Sequence, residues 1–509
     1  MPAGSRHTWL GVLGVAFLLG LWEAVGSLEL LGATIPSLTD VALYAYGSAG
    51  VLWRNLVATS TSAAVGLALG VVPAALGALI AILVPPSQSA IGRIGVLVNA
   101  LPVIAVAPVL LATTSRGFMP VGTAALAVLF TTLVTLLAGL RSRGQREHDL
   151  FSVLGADRMT RFRLLELPGA IPASADSLKL AVPAAMLGAI IGEWFGSELG
   201  LGVLLQSAMF NFQIPLLWSS ALLASLVSIG GYGIFGWLER STSQKYPRPE
   251  EYVDSGVYAR SRSRVRALSL SLVVLVGTIG VWQLWIWMTG VDPLIVPRPG
   301  QVASALVEEM GTLTTSALHT MGVAIAGVAL GMTGGVAIAL VAFRSPVLAG
   351  VILPATLVAR SIPVVALIPV FARLFGFNDA TVVAVATVIT FFPAFALTVS
   401  GLRAVPSGSL DLFRLYSASP NVTVWRLRLP SSVPSVLTAF RIAAPTAILG
   451  ALAAEWLIGL AGLGHLFGQA RNRLSSGLAW SAIFTSIVLS ILAYSLAVAL
   501  EQKGRARWT

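Results

Sequence analysis

Long apolar runs without a charged residue recur from one end of the chain to the other. Each is long enough to cross the hydrocarbon core of a bilayer as a helix, which takes about 20 residues. The longest runs are Asn55–Gly92, Ile94–Ser115, Gly117–Leu140, Leu199–Leu238, Ala267–Val291, Met310–Phe343, Ala380–Leu402 and Leu474–Leu500. Shorter runs around single charged residues complete a prediction of about 12 transmembrane helices, about six before residue 240 and about six after residue 265.

The first predicted span, from Thr8 to about Leu31, follows Arg6 and resembles a secretory signal peptide. Its counterpart in the second half, Ala267–Gly290, lies in the middle of the chain and cannot be a signal peptide. We therefore predict that both segments are retained as membrane spans.

The composition supports an all-α integral membrane protein. Of the 509 residues, 56% are hydrophobic and only 10% are charged, whereas soluble domains carry about 25% charged residues. Helices are the expected spanning elements because each satisfies its own backbone hydrogen bonds inside the bilayer. The absence of Cys excludes disulfides and thiolate chemistry, and the four His residues are scattered along the sequence.

The positive charges predict the orientation in the membrane. Most of the 32 Lys and Arg fall in the segments 141–163, 240–266, 403–428 and 503–507. Because positively charged loops stay in the cytoplasm, this bias places both termini there. The net charge of +11 does not indicate nucleic-acid binding, because no basic stripe alternates with aromatic residues.

The chain contains an internal repeat. The motif "LPVIAVAPV" at Leu101–Val109 recurs as "IPVVALIPV" at Ile362–Val370, and "GEWFGSELGLG" at Gly192–Gly202 recurs as "AEWLIGLAGLG" at Ala454–Gly464. We predict two tandem six-helix units, residues 1–238 and 266–509, joined by a cytoplasmic linker at residues 239–265. Units of equal orientation are related by a pseudo-two-fold axis along the membrane normal, called parallel repeats.

A cytoplasmic segment with fixed spacing follows the fourth predicted span of each half. The two copies are "DLFSVLGADRMTRFRLLELP" at Asp149–Pro168 and "DLFRLYSASPNVTVWRLRLP" at Asp411–Pro430. The pattern predicts a short amphipathic helix, a break and a second turn that ends at the proline. Such a helix can place its apolar side in a groove on a partner protein.

These segments resemble the EAA loop of type I, binding-protein-dependent ATP-binding-cassette (ABC) importer permeases. In that family the loop forms the coupling helix that docks into the ATPase subunit. The residues at the positions of the family motif are Asp149, Gly155, Leu165, Leu167 and Pro168 in the first half and Asp411, Ser417, Leu427, Leu429 and Pro430 in the second. Asp replaces the Glu of the motif in both copies, and Ser417 departs from the usual glycine.

The resemblance is narrower in two further elements. The repeated "P-x-x-A-x-x-P" pattern and "VFARLFGF" at Val370–Phe377 resemble the nitrate, sulfonate and taurine branch of these permeases. The resemblance implies two permease units fused in one chain of the bacterial cell membrane, which imports a small polar or anionic solute by alternating access. It also implies an extracytoplasmic solute-binding protein as a partner.

ATP hydrolysis is expected on separate subunits. A nucleotide-binding P-loop needs Lys followed by Ser or Thr after a glycine, and none of Lys179, Lys245 and Lys503 follows a glycine. We therefore expect two cytoplasmic ATPase subunits that hold ATP and Mg²⁺, and we expect this chain to bind no cofactor or metal and to catalyse no reaction.

A few charges and prolines inside the spans are candidates for the translocation path, since a charge near the bilayer centre costs about 3 kcal/mol. Glu193 and Glu455 are equivalent in the repeat, and each is either a path residue or a carboxylate bonded to its neighbours. Lys179 and Arg441 are expected to extend to the membrane interface. The remaining candidates are Arg360, Pro102, Pro108, Pro363 and Pro369.

The alternative function is a secondary carrier of the major-facilitator type, which also has two parallel six-span halves. The loop that such carriers fill with Gly, Asp and Arg reads "VPPSQSAIGR" here. A membrane enzyme is a third possibility, but it needs His, Asp or Glu clustered at one depth, and the sequence shows no such cluster. The sequence does not identify the solute.

Overall fold

The computed structural model describes residues 3–30, 34–84, 114–140, 145–245, 264–345 and 362–508, together with positions 87, 90–92, 95, 106, 110, 348–349, 352 and 356. All regular structure in these segments is helical. The helices of the first half are α1 (Ala3–Ser27), α2 (Leu38–Gly47), α3 (Ala49–Leu83), α4 (Met119–Leu140), α5 (Gln145–Val153), α6 (Arg158–Arg161), α7 (Leu167–Glu193), α8 (Leu201–Phe210) and α9 (Ile214–Lys245). Those of the second half are α10 (Arg264–Thr289), α11 (Pro299–Glu308), α12 (Met310–Arg344), α13 (Val364–Phe375), α14 (Asp379–Arg403), α15 (Ser407–Leu415), α16 (Pro420–Thr423), α17 (Leu429–Ile458), α18 (Leu463–Asn472) and α19 (Ser476–Trp508).

Eight helices in the described segments are long and apolar enough to cross a membrane. They are α3, α4, α7 with its N-terminal extension, α9, and their four counterparts in the second half. The prediction of an all-α membrane protein with tandem repeats is confirmed. The other four predicted spans fall on α1, on α10, and on residues 94–115 and their counterparts before α14, where parts of the sequence lie outside the described residues.

The helices follow the same order in both halves. For example, α3 begins at Ala49 and α12 at Met310, and α7 begins at Leu167 and α17 at Leu429. Within each half, α4 or α14 lies between the two neighbouring long helices, α3 and α7 or α12 and α17. The two halves therefore share one helix arrangement, as the sequence repeat predicts.

Small residues allow the long helices to approach closely. A Cβ at Gly66 or Gly70 of α3 would overlap atoms of α4, and a Cβ at Gly327 or Gly335 of α12 would overlap atoms of α14. Close backbone approach increases van der Waals contact, which stabilises helix pairs in lipid where the hydrophobic effect between helices is absent. Close helix packing thus explains the glycines at these four positions.

The two halves meet at the C-terminal ends of α7 and α17. Trp194 and Trp456 lie with their ring centroids 6.0 Å apart, and Phe195 stacks on Trp456 at 4.6 Å. One continuous buried apolar cluster contains residues of both halves. We call this contact region the seam, defined by Trp194, Phe195 and Trp456.

Candidate coupling segments and intramembrane carboxylates

The first coupling segment consists of α5, a reversal at Gly155, and α6. Asp157 caps the N-terminus of α6, because its Oδ1 accepts a hydrogen bond of 3.1 Å from the amide of Thr160. Hydrogen bonds from the Thr160 side chain and amide hold the pKa of Asp157 below its usual value. Asp149 is exposed on α5.

The second coupling segment has the same geometry with different residues. Ser419 caps the N-terminus of α16, because its hydroxyl accepts a hydrogen bond of 3.4 Å from the amide of Val422. Asp411, which is exposed, pairs with Arg414 at 2.9 Å. Both segments therefore fold as a short helix, a reversal and a new helix start.

The reversal uses a left-handed backbone in both halves. Gly155 has φ +66° and Ser417 has φ +49°. Only glycine adopts this conformation readily, and other residues pay about 1 kcal/mol or more. Ser417 thus departs from the family motif in sequence but keeps its backbone shape.

The helix does not end at the Leu-Pro pair, contrary to the sequence prediction. Pro168 and Pro430 lie in the first turn of α7 and α17, and a π-turn precedes each, at Phe162–Glu166 and Val424–Arg428. The amide of Leu167 donates to the Phe162 carbonyl five residues earlier, and Leu429 donates to Val424 in the same way. Because proline has no N–H, the wider turn lets the helix continue into the membrane.

The remaining motif residues form the base of each coupling segment. Leu165 is buried, Leu167 is exposed, and Pro168 is half-buried, while Leu427, Leu429 and Pro430 are all half-buried. The base is therefore fixed by packing, and the tip is open.

The tip of each coupling segment exposes apolar side chains at equivalent positions. Val153 is 85% exposed and Leu154 is 70% exposed, and their counterparts Leu415 and Tyr416 are 82% and 80% exposed. Leu150 and Leu412, one turn earlier, are also exposed. We call these six residues the coupling tips.

The buried Glu193, at the end of α7, forms hydrogen bonds to both α3 and α8. Its carboxylate accepts hydrogen bonds from the Thr59 hydroxyl of α3 at 2.6 Å and from the Gly202 amide of α8 at 2.7 Å. The amide of Leu201 donates to the Thr59 hydroxyl at 2.7 Å, and the amide of Gly200 donates to Asn55 at 2.7 Å. The amides of Gly200, Leu201 and Gly202 at the start of α8 thus find acceptors. A carboxylate is also stabilised at the positive end of a helix dipole.

Glu455 repeats this arrangement in the second half. Thr320 donates to Glu455 Oε2 at 2.8 Å, the Gly464 amide donates to the same oxygen at 3.0 Å, and the Leu463 amide donates to Thr320 at 2.9 Å. His319 adds a contact that the first half lacks. Its Nδ1 lies 3.4 Å from Glu455 Oε1 and its Nε2 lies 3.1 Å from Asp379.

Sequence reasoning missed the partners of these carboxylates. Thr59 and Thr320 are equivalent in the repeat, which was an available signal, but the contacts join residues more than 130 positions apart. Lys179 and Arg441 also have partners, since Lys179 pairs with Asp176 at 2.7 Å and Glu239 at 3.4 Å, and Arg441 pairs with Glu501 at 3.0 Å.

The prolines and the single arginine are only partly described. Pro363 precedes the first residue of α13 and Pro369 lies inside that helix. Pro102, Pro108 and Arg360 lie outside the described residues. The assignment of this group to the translocation path stays a prediction.

Comparison with known proteins identifies the family. The family described as "Binding-protein-dependent transport system inner membrane component" matches the chain twice, over residues 66–244 and 315–506. The chain is 30% identical over 222 residues to the formylaminopyrimidine transport permease protein ThiX of Halalkalibacterium halodurans, a match that covers 43% of this chain and 88% of that protein.

Two further relatives match a similar share of this chain and of their own length. The riboflavin transport system permease protein RibX of Chloroflexus aurantiacus is 27% identical over 246 residues, which cover 48% of this chain and 92% of the relative. The taurine transport system permease protein TauC of Escherichia coli is 25% identical, over 47% of this chain and 89% of the relative. Less than half of this chain therefore matches nearly a whole relative.

These matches favour the importer over the major-facilitator carrier. The relatives are transport permeases and not enzymes, and in such systems ATP hydrolysis belongs to separate subunits. The chain belongs to the binding-protein-dependent transport system inner membrane components and is a multi-pass permease component of an ABC importer.

Proposed function

We propose that this chain supplies the whole transmembrane part of its importer, as two fused permease units at residues 1–238 and 266–509 with the linker 239–265 between them. It moves a small polar or anionic solute into the cytoplasm by alternating access. The two family matches and the two complete coupling segments support this proposal, because an importer with parallel halves needs both.

The coupling tips are the proposed docking sites for two ATPase subunits, one under each half. The observation that carries this proposal is the exposure of apolar side chains at the same positions of both segments. Exposed apolar side chains on a short helix are typical of a helix that docks into a groove. Asp149, Gly155 and the Leu-Pro base would orient the first tip, and Asp411, Ser417 and their base the second.

Movement of the ATPases would reach the membrane through the π-turns. Each coupling segment continues directly into a long helix, α7 or α17, that ends at the seam. A push on the tip is therefore carried along a rigid element to the opposite side of the membrane. We call that opposite side the outer side.

Both termini and the linker are proposed to lie in the cytoplasm. From the coupling segment, α7 crosses the membrane once and α9 crosses back, so Lys245 returns to the side of the coupling segments. By the same count α19 ends on that side. The extracytoplasmic binding protein would deliver the solute to the outer side, where α8 and α18 lie.

Glu193 and Glu455 are proposed to shape the outer end of the path by fixing α8 and α18, because they accept hydrogen bonds from the Gly202 and Gly464 amides in the first turns of these helices. Pro102, Pro108, Pro363 and Pro369 are proposed to lie along the path, because a proline lacks an N–H and can leave a backbone carbonyl free for the solute. Arg360, which shortly precedes Pro363 in the sequence, is proposed to attract an anionic group of the solute.

A charge at a coupling tip tests the docking proposal. We expect Leu154→Asp or Tyr416→Asp to abolish copurification of the ATPase and uptake, because a carboxylate would be buried in the apolar groove. Ser407→Asp is the matched control, since it adds the same charge at an exposed position of the same segment, at the opposite end of α15. Unchanged ATPase recovery in both tip variants would refute the proposal.

A further inference from the structure

Two arginines of the second half contact aromatic rings of the first half. The guanidinium of Arg373, near the end of α13, lies 4.5 Å from the ring centre of Phe212. The guanidinium of Arg471, near the end of α18, lies 4.8 Å from the ring centre of Phe195 at the seam. Both contacts are of the cation–π type, which holds the planar guanidinium against a ring.

Both arginines lie on the outer side. Arg373 precedes the start of α14, which crosses to the coupling side by Arg403. Arg471 lies between the outer end of α17 and the start of α19. Phe195 and Phe212 flank the ends of α8, a helix of 10 residues that spans about 15 Å. The arginines therefore mark the two ends of α8 at the boundary between the halves.

Neither arginine forms an ion pair within the described segments. Arg373 Nε is buried and has no hydrogen-bond partner there. Burial lowers the pKa of Arg471, as expected for a half-buried cation without a carboxylate beside it. An aromatic ring offers weak electrostatic stabilisation only, so both guanidinium groups retain donors for an anion.

The helix arrangement itself does not require these charges. The equivalent positions of the first half are occupied by Ala112 and Met209. Arg373 and Arg471 thus have no basic residue at the equivalent positions of the first half, although the two halves share their helix order and their buried carboxylates. This difference, together with the absence of a carboxylate partner for either guanidinium in the described segments, points to a role in recognition.

We propose that Arg373 and Arg471 form an anion-binding region along α8, at the boundary between the halves, that contacts the carboxylate, sulfonate or phosphate group of the transported solute as it enters. This inference rests on the proposed function and narrows the solute to an anion. Direct contact with the binding protein is less consistent with the geometry, since both arginines are half-buried between the halves, whereas Arg473 on the same loop is exposed.

The test uses the purified full chain in lipid nanodiscs. We would measure its melting temperature during titration with methanesulfonate, acetate and inorganic phosphate, with chloride keeping the ionic strength constant. At least one of the three anions should stabilise the native chain and Arg473→Gln. In Arg373→Gln and Arg471→Gln the half-maximal concentration should rise about tenfold, the loss expected for a charge-assisted hydrogen bond.

Charge-preserving variants keep the test independent of folding defects. Arg373→Lys and Arg471→Lys should retain most of the anion response. Equal responses in the native chain and both Gln variants, or no response to any anion, would overturn the proposal. Capture of the binding protein by the nanodiscs is measured for the same variants. If Arg473→Gln loses as much capture as Arg471→Gln, the arginines serve protein docking, and the proposal is overturned.

Copurification of the ATPase distinguishes failure of this inference from failure of the proposed function. Arg373→Gln and Arg471→Gln leave both coupling tips unchanged, so the ATPase should still copurify with them. If it copurifies and the anion response is absent, only the anion-binding region is refuted.

Discussion

Trp194 and Trp456 occupy equivalent positions in the two halves and lie against each other at the seam in a tilted arrangement, with ring centroids 6.0 Å apart and ring planes inclined by 31°. Trp194 follows the last residue of α7, and Trp456 lies two residues before the end of α17. Each tryptophan directly follows a buried carboxylate, Glu193 or Glu455. The pseudo-two-fold axis that the sequence repeat predicts would pass between these two rings. The carboxylates that fix α8 and α18 flank this axis on both sides.

The carboxylate of Glu193 should stabilise the outer end of the first half. In Glu193→Ala the Thr59 hydroxyl and the Gly202 amide lose their acceptor in a buried place. We expect a loss of about 1 to 3 kcal/mol for each unpaired donor, seen as a lower melting temperature in detergent. Glu198→Ala is the control, because Glu198 is exposed on the same loop. Equal melting temperatures for the two variants would contradict the structural role.

Gly200 should tolerate no side chain. It has φ +143°, and a Cβ there would overlap the carboxylate of Glu193, whereas Gly196 has φ +133° and open space around the position of a Cβ. Both alanine variants carry backbone strain of about 1 to 3 kcal/mol, but only Gly200→Ala adds the collision. Thermal unfolding should therefore show Gly200→Ala to be the less stable variant, and the reverse order would be inconsistent with this packing.

The ion pair of Arg441 and Glu501 should couple α17 to α19 in the second half. Arg441 Nη1 lies 3.0 Å from Glu501 Oε2, and the Thr438 hydroxyl donates to Glu501 Oε1 at 2.8 Å. Glu501→Met should destabilise the protein by up to about 3 kcal/mol, because it removes a carboxylate that lies 3.0 Å from the Arg441 guanidinium.

The double variant Arg441→Met with Glu501→Met provides the check on this pair. Replacing both charges by apolar side chains of similar volume is often nearly neutral, so the double variant should melt above Glu501→Met. Simple addition of the two single losses would mean that the pair does not couple.

Membrane orientation can be measured cleanly because the chain has no Cys. A single Cys at Tyr416 should react with a membrane-impermeant maleimide only in inside-out vesicles, and a single Cys at Arg473 should react in right-side-out vesicles. Both side chains are exposed. Labelling of both positions from the same side would contradict the proposed topology.

Much of the helix arrangement was predictable from the sequence. The apolar runs and the repeat gave the long helices and the tandem halves, because membrane spans and repeats depend on local patterns. The short helix and the break of each coupling segment were predicted for the same reason, whereas the docking role of these segments stays a prediction. The prediction that the helix ends at Pro168 was wrong, because proline in a first turn can be accommodated by a π-turn.

The contacts of the buried charges could not be predicted. Glu193 and Thr59 are 134 positions apart, and no local pattern encodes that distance. Arg471 shows the same limit, since its position in the sequence does not reveal that it faces Phe195 of the other half. The first contact follows from the packing of helices within one half, and the second follows from the packing of the two halves against each other.

The composition of the assembled importer tests the central claim most directly. The chain should be tagged at its C-terminus, purified from its native membrane in mild detergent, and weighed intact by native mass spectrometry. A complex with one copy of this chain and two ATPase subunits of the P-loop type would agree with two fused permease units. A complex with two copies of this chain and two ATPase subunits, or the chain alone without any ATPase, would contradict it.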